Sequence, residues 1–407
     1  MKLLPIIYLG YMFISIYLLS LYLFLYFHNR KRLFDYPITD KKYTISVLVP
    51  AYNEEKTIKD TILAIFNIDY PIEELIVIND GSSDKTREIV EGLLKKYPKL
   101  KLINKANSGK GDSLNQGIKI SKGELVVVVD ADSYPSKDSF GKLVGFFDEE
   151  KVGAATCVFV PRNANTFFEK LQLIEYNVIA FSRKLLGYLD AIYVTPGPLA
   201  MYRKTALEKV GGFDTKNMTE DIEITWRLTG AGYERRMCLS ASATTTVPNT
   251  LKAWYRQRRR WNVGGLQCIA KYKKNFLQKG MLGMFILPFF IVQIFLGALG
   301  LGIFVYLGIT RIISNYLLVK YSIPVGVPLI TMESLNITPS FLNYLGVILF
   351  IVGTAFTLMS LSIMKGTILK KQNIFNVLFY SIVYLTVYPF IMISAVYNYF
   401  KRDTKWR

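Results

Sequence analysis

Three clusters carry the chemistry in this chain: Asp130-Ala131-Asp132, Thr219-Glu220-Asp221 and Gln257-Arg258-Arg259-Arg260-Trp261. Two aspartates one residue apart offer hard carboxylate oxygens to a divalent cation. In the second cluster a carboxylate is a candidate base, and Thr219 can cap a helix whose first turn holds Glu220 and Asp221. Arginines beside a tryptophan offer guanidinium donors for phosphate and a flat ring for the C–H face of a sugar. In that order these are the parts needed to move a sugar from a nucleotide diphosphate. Each cluster also has a plainer reading: a solvated loop, a helix start, and a basic amphipathic helix lying on a membrane with Trp254 and Trp261 at the interface.

Two smaller runs belong beside them. Ser108-Gly109-Lys110-Gly111-Asp112 lacks the spacing of a P-loop, yet a lysine that opens a helix can reach nucleotide or phosphate. Asp80-Gly81-Ser82 reads equally as a turn with a helix cap.

The elements that must position these groups follow from hydrophobic periodicity. Ile45 to Pro50, Leu75 to Ile78 and Leu125 to Val129 are apolar runs of strand length, the last one typical of a strand covered on both faces. Between them Ile58, Ile62, Ile65 and Phe66, and then Ile89, Val90, Leu93, Leu94 and Tyr97, recur at helical spacing. Alternating strands and helices predict an α/β domain with a parallel sheet, whose ligands bind beyond the carboxyl ends of the strands. Glu54, Asp80, Asp130 and Asp132 all fall at such ends, so the pattern places them on one rim.

Four stretches without Asp, Glu, Lys or Arg flank this domain: Leu3 to Phe27, Met281 to Thr310, Ser334 to Met364 and Gln372 to Phe400. Each exceeds the ~20 residues a spanning helix needs. The expected organisation is a transmembrane helix over 1–29, an α/β domain over 40–245 and an interfacial amphipathic segment over 246–280. About three transmembrane helices over 281–400 and a basic tail over 401–407 follow. The first stretch reads as a retained anchor rather than a signal peptide. Arg30, Lys31, Arg32, Lys41 and Lys42 follow it, which puts the α/β domain on the cytoplasmic side of the cell membrane. One span before the domain and three after it leave the C-terminus outside, whereas the basic tail prefers inside. Either that rule fails here or Arg311 to Thr331 adds a membrane element.

Composition narrows the partners. The net charge is +19, but no nucleic-acid-binding motif is present, and nine Lys or Arg without an acid lie between Asn249 and Gly280. Beside a membrane, that density suits anionic headgroups and a diphosphate leaving group. Cys157, Cys238 and Cys268 form no CxxC pattern, and His28 is the only histidine, which speaks against zinc or histidine-based catalysis.

From about Ile45 to Gln267 the chain resembles family 2 glycosyltransferases of GT-A fold, in the group of membrane β-polysaccharide synthases. That group includes poly-N-acetylglucosamine, chitin-oligosaccharide, hyaluronan and cellulose synthases. Pro50 to Glu55 and Asn79 to Thr86 resemble its uridine-binding segments, and Asp130-Ala131-Asp132 resembles its DxD. Thr219-Glu220-Asp221 matches the TED of the poly-N-acetylglucosamine and cellulose branches. Gln257 to Trp261 resembles the group's (Q/R)xxRW pattern, and Gly197 to Arg203 resembles a segment of the hyaluronan and chitin-oligosaccharide branches.

The resemblance implies donor contacts from Ala51, Asn53, Glu54, Asp80, Lys110, Asp130 and Arg258. It implies acceptor contacts from Gln257, Trp261, Gly197 and Pro198, and Mg²⁺ or Mn²⁺ on Asp130 and Asp132. Asp221 would be the base, with Glu220, Arg260 and Trp261 completing the catalytic group. The expected activity is inverting transfer from a UDP-sugar, best matched by UDP-N-acetylglucosamine, to a growing β-linked polysaccharide that is exported. Single transfer to a lipid acceptor and a catalytically inactive membrane sensor are the alternatives.

Overall fold

Strand runs with no polar interruption form the middle of the sheet. In the computed structural model, which describes residues 3–325, 341–364 and 373–401, Ile45, Val47, Leu48 and Val49 are wholly buried, as are Leu75 to Ile78 and Leu125 to Val127. They lie in β1 (Ile45–Ala51), β2 (Glu74–Asp80) and β4 (Leu125–Val128). β3 (Leu100–Lys105) completes a parallel set in the order β3-β2-β1-β4. Between them run α2 (Ile58–Phe66), α3 (Thr86–Leu94) and α4 (Lys110–Ile120).

The parallel sheet expected from the sequence holds across β3-β2-β1-β4 and gives way to a mixed one beyond β4. Four further strands, β5 (Ser133–Pro135), β6 (Val152–Pro161), β7 (Ala200–Arg203) and β8 (Glu234–Thr245), extend it in the order β4-β7-β6-β8-β5. β7 is antiparallel to both β4 and β6, so the eight-stranded sheet is mixed. Antiparallel entry of β7 brings the loop before it, Thr195 to Pro198, to the end of the sheet where β4 delivers Asp130. The Asp130 N–H donates to the Gly197 carbonyl there (3.1 Å).

Helices α5 (Ser139–Val144), α6 (Phe167–Gly187), α7 (Lys204–Lys209) and α8 (Glu220–Gly230) surround the second half. α6 starts on a reciprocal capping box between Thr166 and Glu169. α9 (Leu251–Tyr272) follows β8, with the Thr250 hydroxyl accepting from the Ala253 N–H.

Among the described residues four helical segments are long and apolar enough to cross a membrane: Pro5–Arg32, Leu282–Tyr321, Tyr344–Ile363 and Ile374–Phe400. They comprise α1 (Leu3–Asn29), α10 (Leu287–Val325), α11 (Phe341–Ile363) and, after a short α12 (Ile374–Phe379) and a π-helical turn over Tyr380–Tyr384, α13 (Leu385–Phe400). α10 runs unbroken past Arg311, so up to Val325 the extra membrane element considered from the sequence is a continuation of the second span. Residues 326–331 of that segment, the start of the third apolar stretch and nearly all of the basic tail (402–407) lie outside the described residues.

The charge-sparse stretch Asn165 to Leu189 carries Phe167, Phe168, Leu171, Ile174, Val178, Phe181 and Leu185 in helical rhythm and contains α6. From the sequence it reads either as a helix at a membrane interface or as one covering the sheet. α6 packs against β6 and β8 and also against α1 and α11, so it sits between the sheet and the apolar helices. α9 packs along α13. These two helices join the α/β domain to the apolar bundle.

Candidate active site

One cavity of about 1040 Å³ runs from the strand ends to the apolar helices. Ala51 and Glu54 reach it from the end of β1, Asp80 from β2, Asp130 and Asp132 from the loop after β4, and Lys110 from the start of α4. Gly197 and Pro198 close one side. Glu220 and Asp221 enter on the first turn of α8, and Gln257, Arg260 and Trp261 from α9. Deeper, α10 contributes Phe290, Gln293 and Gly297, and α13 contributes Tyr388, Pro389 and Met392. The volume lies at the upper end of small-molecule pockets, enough for a donor together with part of a second substrate.

Lys110 organises the rim. Its ammonium bridges Asp130 (2.6 Å) and Glu220 (2.7 Å), tying the end of β4 to the start of α8. Although burial disfavours its charge, those acids and Asp221 raise its pKa and keep it a cation. A Cβ at Gly197 would fall 2.5 Å from the Lys110 Nζ and 2.6 Å from an Asp130 oxygen, so only glycine leaves this cradle open.

Acids outnumber cations here, and two carboxyls show the consequence. Burial, together with Asp130 and Glu54, pushes Asp132 up to about 7. Burial and the neighbouring Glu220 push Asp221 up to about 6, against the pull of Lys110 and Arg260. Glu220 goes the other way: burial raises it, but Lys110 and Arg260 outweigh that and hold it below the usual glutamate range. Paired acids driven apart in this way are a common arrangement for acid–base chemistry.

A divalent cation fits the Asp130–Asp132 corner. Burial, with Asp130 and Glu54 beside it, disfavours a bare charge on Asp132, and the available donors are carboxylate oxygens, which suit Mg²⁺ or Mn²⁺. Among the described residues no three acidic, His or Cys side chains gather as a metal cage, so two carboxylates would share the ion with the substrate's phosphates.

Asp80 lines the cavity, yet its carboxylate already accepts from the Ser108 and Gly109 N–H groups (2.9 Å each) and from Lys105. It shapes the turn that presents Lys110. Lys105 escaped sequence reasoning, because only the β2–β3 register brings it opposite Asp80.

Two expected donor contacts are not brought to the cavity. Asn53 has φ +56°, and its side-chain carbonyl accepts from the Ser83 N–H (2.8 Å), clamping the loop after β1 to the loop after β2. Arg258 is 1% exposed and makes a two-pronged ion pair with Glu175 of α6 (2.9 and 2.5 Å). Helix geometry gives the reason. Gln257, Arg260 and Trp261 stand at i, i+3 and i+4 and share one face, whereas Arg258 is turned about 100° away from Gln257. That spacing was readable in the sequence, but Glu175 as the partner was not.

Around this pair the packing is buried and aromatic. Tyr384 donates to Glu175 (2.7 Å), and the Arg258 guanidinium lies 4.2 Å from the centre of the Trp261 ring. Trp254, a candidate interface residue, is instead buried against Phe168, Tyr384 and Tyr388. Gly264 was also missed: a Cβ there would collide with Thr219, so this glycine lets α9 close onto the loop that carries Glu220 and Asp221.

A mixed sheet with a carboxylate rim, facing Asp221 at the start of α8 across one cavity, defines a glycosyltransferase of GT-A architecture joined to a helical membrane region. The sequence matches the profile of "Glycosyl transferase family 2" over residues 46–211. It is 34% identical over 281 residues to a poly-beta-1,6-N-acetyl-D-glucosamine synthase of Staphylococcus epidermidis, covering 68% of each protein. It is 32% identical over 382 residues to the probable glycosyltransferase YdaM of Bacillus subtilis, covering 89% of this chain and 85% of that one. The mannosyltransferase PcManGT of Pyrobaculum calidifontis, solved with GDP-Man and Mn²⁺, has the same fold, with a TM-score of 0.63 at 19% identity, over 98% of this chain and all of that one. The chain belongs to glycosyl transferase family 2 and is an integral membrane glycosyltransferase.

Proposed function

We propose that this enzyme transfers N-acetylglucosamine from UDP-N-acetylglucosamine to the end of a growing β-linked glycan and passes the product into the membrane region. The observation that carries this reading is the single cavity that joins the strand-end carboxylates to Phe290 and Gln293 of α10 and Tyr388 and Met392 of α13. The donor assignment rests on the poly-beta-1,6-N-acetyl-D-glucosamine synthases to which the chain is similar.

In this reading Ala51, Glu54, Asp80 and Lys110 receive the nucleotide end. Asp130 and Asp132 would hold Mg²⁺ or Mn²⁺, and such an ion would supply positive charge beside the departing diphosphate. Arg260 adds guanidinium donors on the same side. Asp221 takes the proton from the acceptor hydroxyl as that oxygen attacks the anomeric carbon, and in-line attack turns an α-linked donor into a β-linked product. Glu220 and Lys110 keep Asp221 in place and tune its basicity. Trp261, steadied by Arg258, stacks on the acceptor sugar, with Gln257, Gly197 and Pro198 beside it. The catalytic domain faces the cytoplasm and the spans lie in the cell membrane, by the basic cluster after α1.

Proteoliposomes supplied with radiolabelled UDP-N-acetylglucosamine and Mg²⁺ or Mn²⁺ should yield a ladder or a high-molecular-weight glycan that a hexosaminidase degrades. Chelator should abolish it, and Trp261→Ala should shorten it. Label confined to a one-sugar lipid would replace this reading with single transfer, and full turnover in excess chelator would remove the metal from Asp130 and Asp132.

A further inference from the structure

Four cationic side chains are buried among the described residues outside the rim: Arg183, Lys184, Arg235 and Arg258. Three of them are satisfied. Lys184 donates to the Met237 carbonyl (3.0 Å), Arg235 to the Asp190 carbonyl (2.6 Å) and to further backbone oxygens, and Arg258 to Glu175. Arg183 differs. It is 6% exposed, its Nε is buried without a hydrogen-bond partner, and its guanidinium makes no ion pair among the described residues. Burial also pulls its pKa below the usual arginine value. A cation held this way is costly unless something else supplies the oxygen atoms.

Its position shows where they come from. Tyr176, Ile179, Ala180 and Arg183 all line the cavity. They recur at i, i+3, i+4 and i+7, so one face of α6 forms this wall, with Arg183 one turn beyond Ile179. Tyr193 lines the same cavity, and it and the Asp221 carboxylate are near enough to act on the Arg183 charge. The wall therefore offers the two terminal nitrogens of a planar guanidinium, its Nε being closed off, next to an apolar and aromatic surface and on the side of the proposed base. An acetamido group has that shape: an sp² oxygen that accepts two in-plane hydrogen bonds, and a methyl group that prefers an apolar wall. A hydroxyl matches only the first half, and less well.

We infer that Arg183 is an acceptor-binding residue that receives the acetamido carbonyl of the acceptor sugar, with Ile179 and Ala180 against its methyl group. This rests on the proposed use of an N-acetylglucosamine acceptor and adds the group that recognises it. The cavity then reads an acceptor sugar twice, by ring stacking at Trp261 and by its acyl group at Arg183.

The test uses the full-length enzyme in detergent with UDP-N-acetylglucosamine and two acceptors: a short β-1,6-linked N-acetylglucosamine oligosaccharide and its chemically de-N-acetylated form. The second carries ammonium groups, which a buried guanidinium repels. Arg183→Met should raise KM for the N-acetylated acceptor by about 10- to 100-fold, the range of a lost hydrogen bond to a charged group. It should lower KM for the de-N-acetylated one, while KM for the donor moves less than about threefold. Arg183→Lys should fall between wild type and Arg183→Met with the N-acetylated acceptor. A general loss of structure cannot produce opposite shifts for two acceptors. Equal shifts for both acceptors, or an unchanged acceptor KM with elongation intact, would overturn the role of Arg183 alone. A wild-type enzyme that elongates neither acceptor would overturn the proposed function and this inference together.

Discussion

The strand-end rim and the junction of α6, α9 and the last membrane segment treat charge in opposite ways. At the rim, Glu54, Asp130, Asp132, Glu220 and Asp221 gather with Lys110 and Arg260, and burial together with the neighbouring acids raises the carboxyls of Asp132 and Asp221. At the junction, Glu175 and Arg258 are matched as an ion pair, with hydrogen bonds from Tyr384 to Glu175 and from Arg258 to Gln257 and Tyr388, in a buried aromatic shell. The rim's imbalance is a capacity, since a cation and a diphosphate can enter it and a proton can move within it. The junction's balance is rigidity. A matched buried pair contributes little net stability but is costly to break, so it fixes geometry. Two neighbouring members of one arginine run, Arg258 and Arg260, fall on opposite sides of this divide.

Breaking the rim should have the largest effect. Asp221→Asn keeps the size and polarity of the side chain but cannot take a proton. It should lower kcat by about 10²- to 10⁴-fold, while donor affinity measured by calorimetry changes little. A mutant that turns over at the wild-type rate would place the base elsewhere and leave the rim without its claimed chemistry.

The junction comes next, and its signature is different. Arg258→Met strands Glu175 in an apolar shell and should cost about 3–5 kcal/mol of stability, read as a large fall in Tm in detergent. The double variant Glu175→Met with Arg258→Met should recover most of that loss. If Arg258→Met instead raises donor KM and leaves Tm intact, Arg258 belongs with Arg260 and the contrast between the two regions collapses.

A pH profile sharpens the comparison further. Asp221 must be ionised to act, and its pKa stands at about 6, above the usual aspartate value. The log of kcat/KM should therefore be flat above pH 6 and fall by about one unit per pH unit below it, because the reactive form is lost as the proton binds. Arg258→Met should not move that inflection, whereas Glu220→Gln should lower it by removing the neighbouring charge. An inflection near pH 4 would mean that Asp221 is not crowded as described.

The smallest effect is expected at Asn53, which holds two rim loops together without facing the cavity. Asn53→Ala should cost about 1 kcal/mol from its lost hydrogen bond to Ser83, with a modest rise in donor KM. A loss of activity as deep as that of Asp221→Asn would make Asn53 a direct ligand.

Legibility divides along the same line. Asp130, Asp132, Asp80 and Glu54 were readable because a buried apolar strand must end where it meets solvent, and the next polar residues then stand on the rim of a parallel sheet. Gln257, Arg260 and Trp261 were readable as a motif, and helical spacing alone separates them from Arg258. The four apolar segments were readable because a bilayer leaves a length and a composition that need no partner to be recognised. Tertiary structure alone decided the rest. Glu175 meets Arg258 across 83 positions of chain, Tyr384 meets Glu175 across 209, and Lys105 meets Asp80 through a strand register. β7 enters antiparallel, which brings Gly197 against Lys110 and Asp130. Local periodicity says which face of an element is apolar, and hence where a strand or helix ends. Which charge meets which across a core depends on how those faces are stacked, and that information lies in no single stretch of the chain.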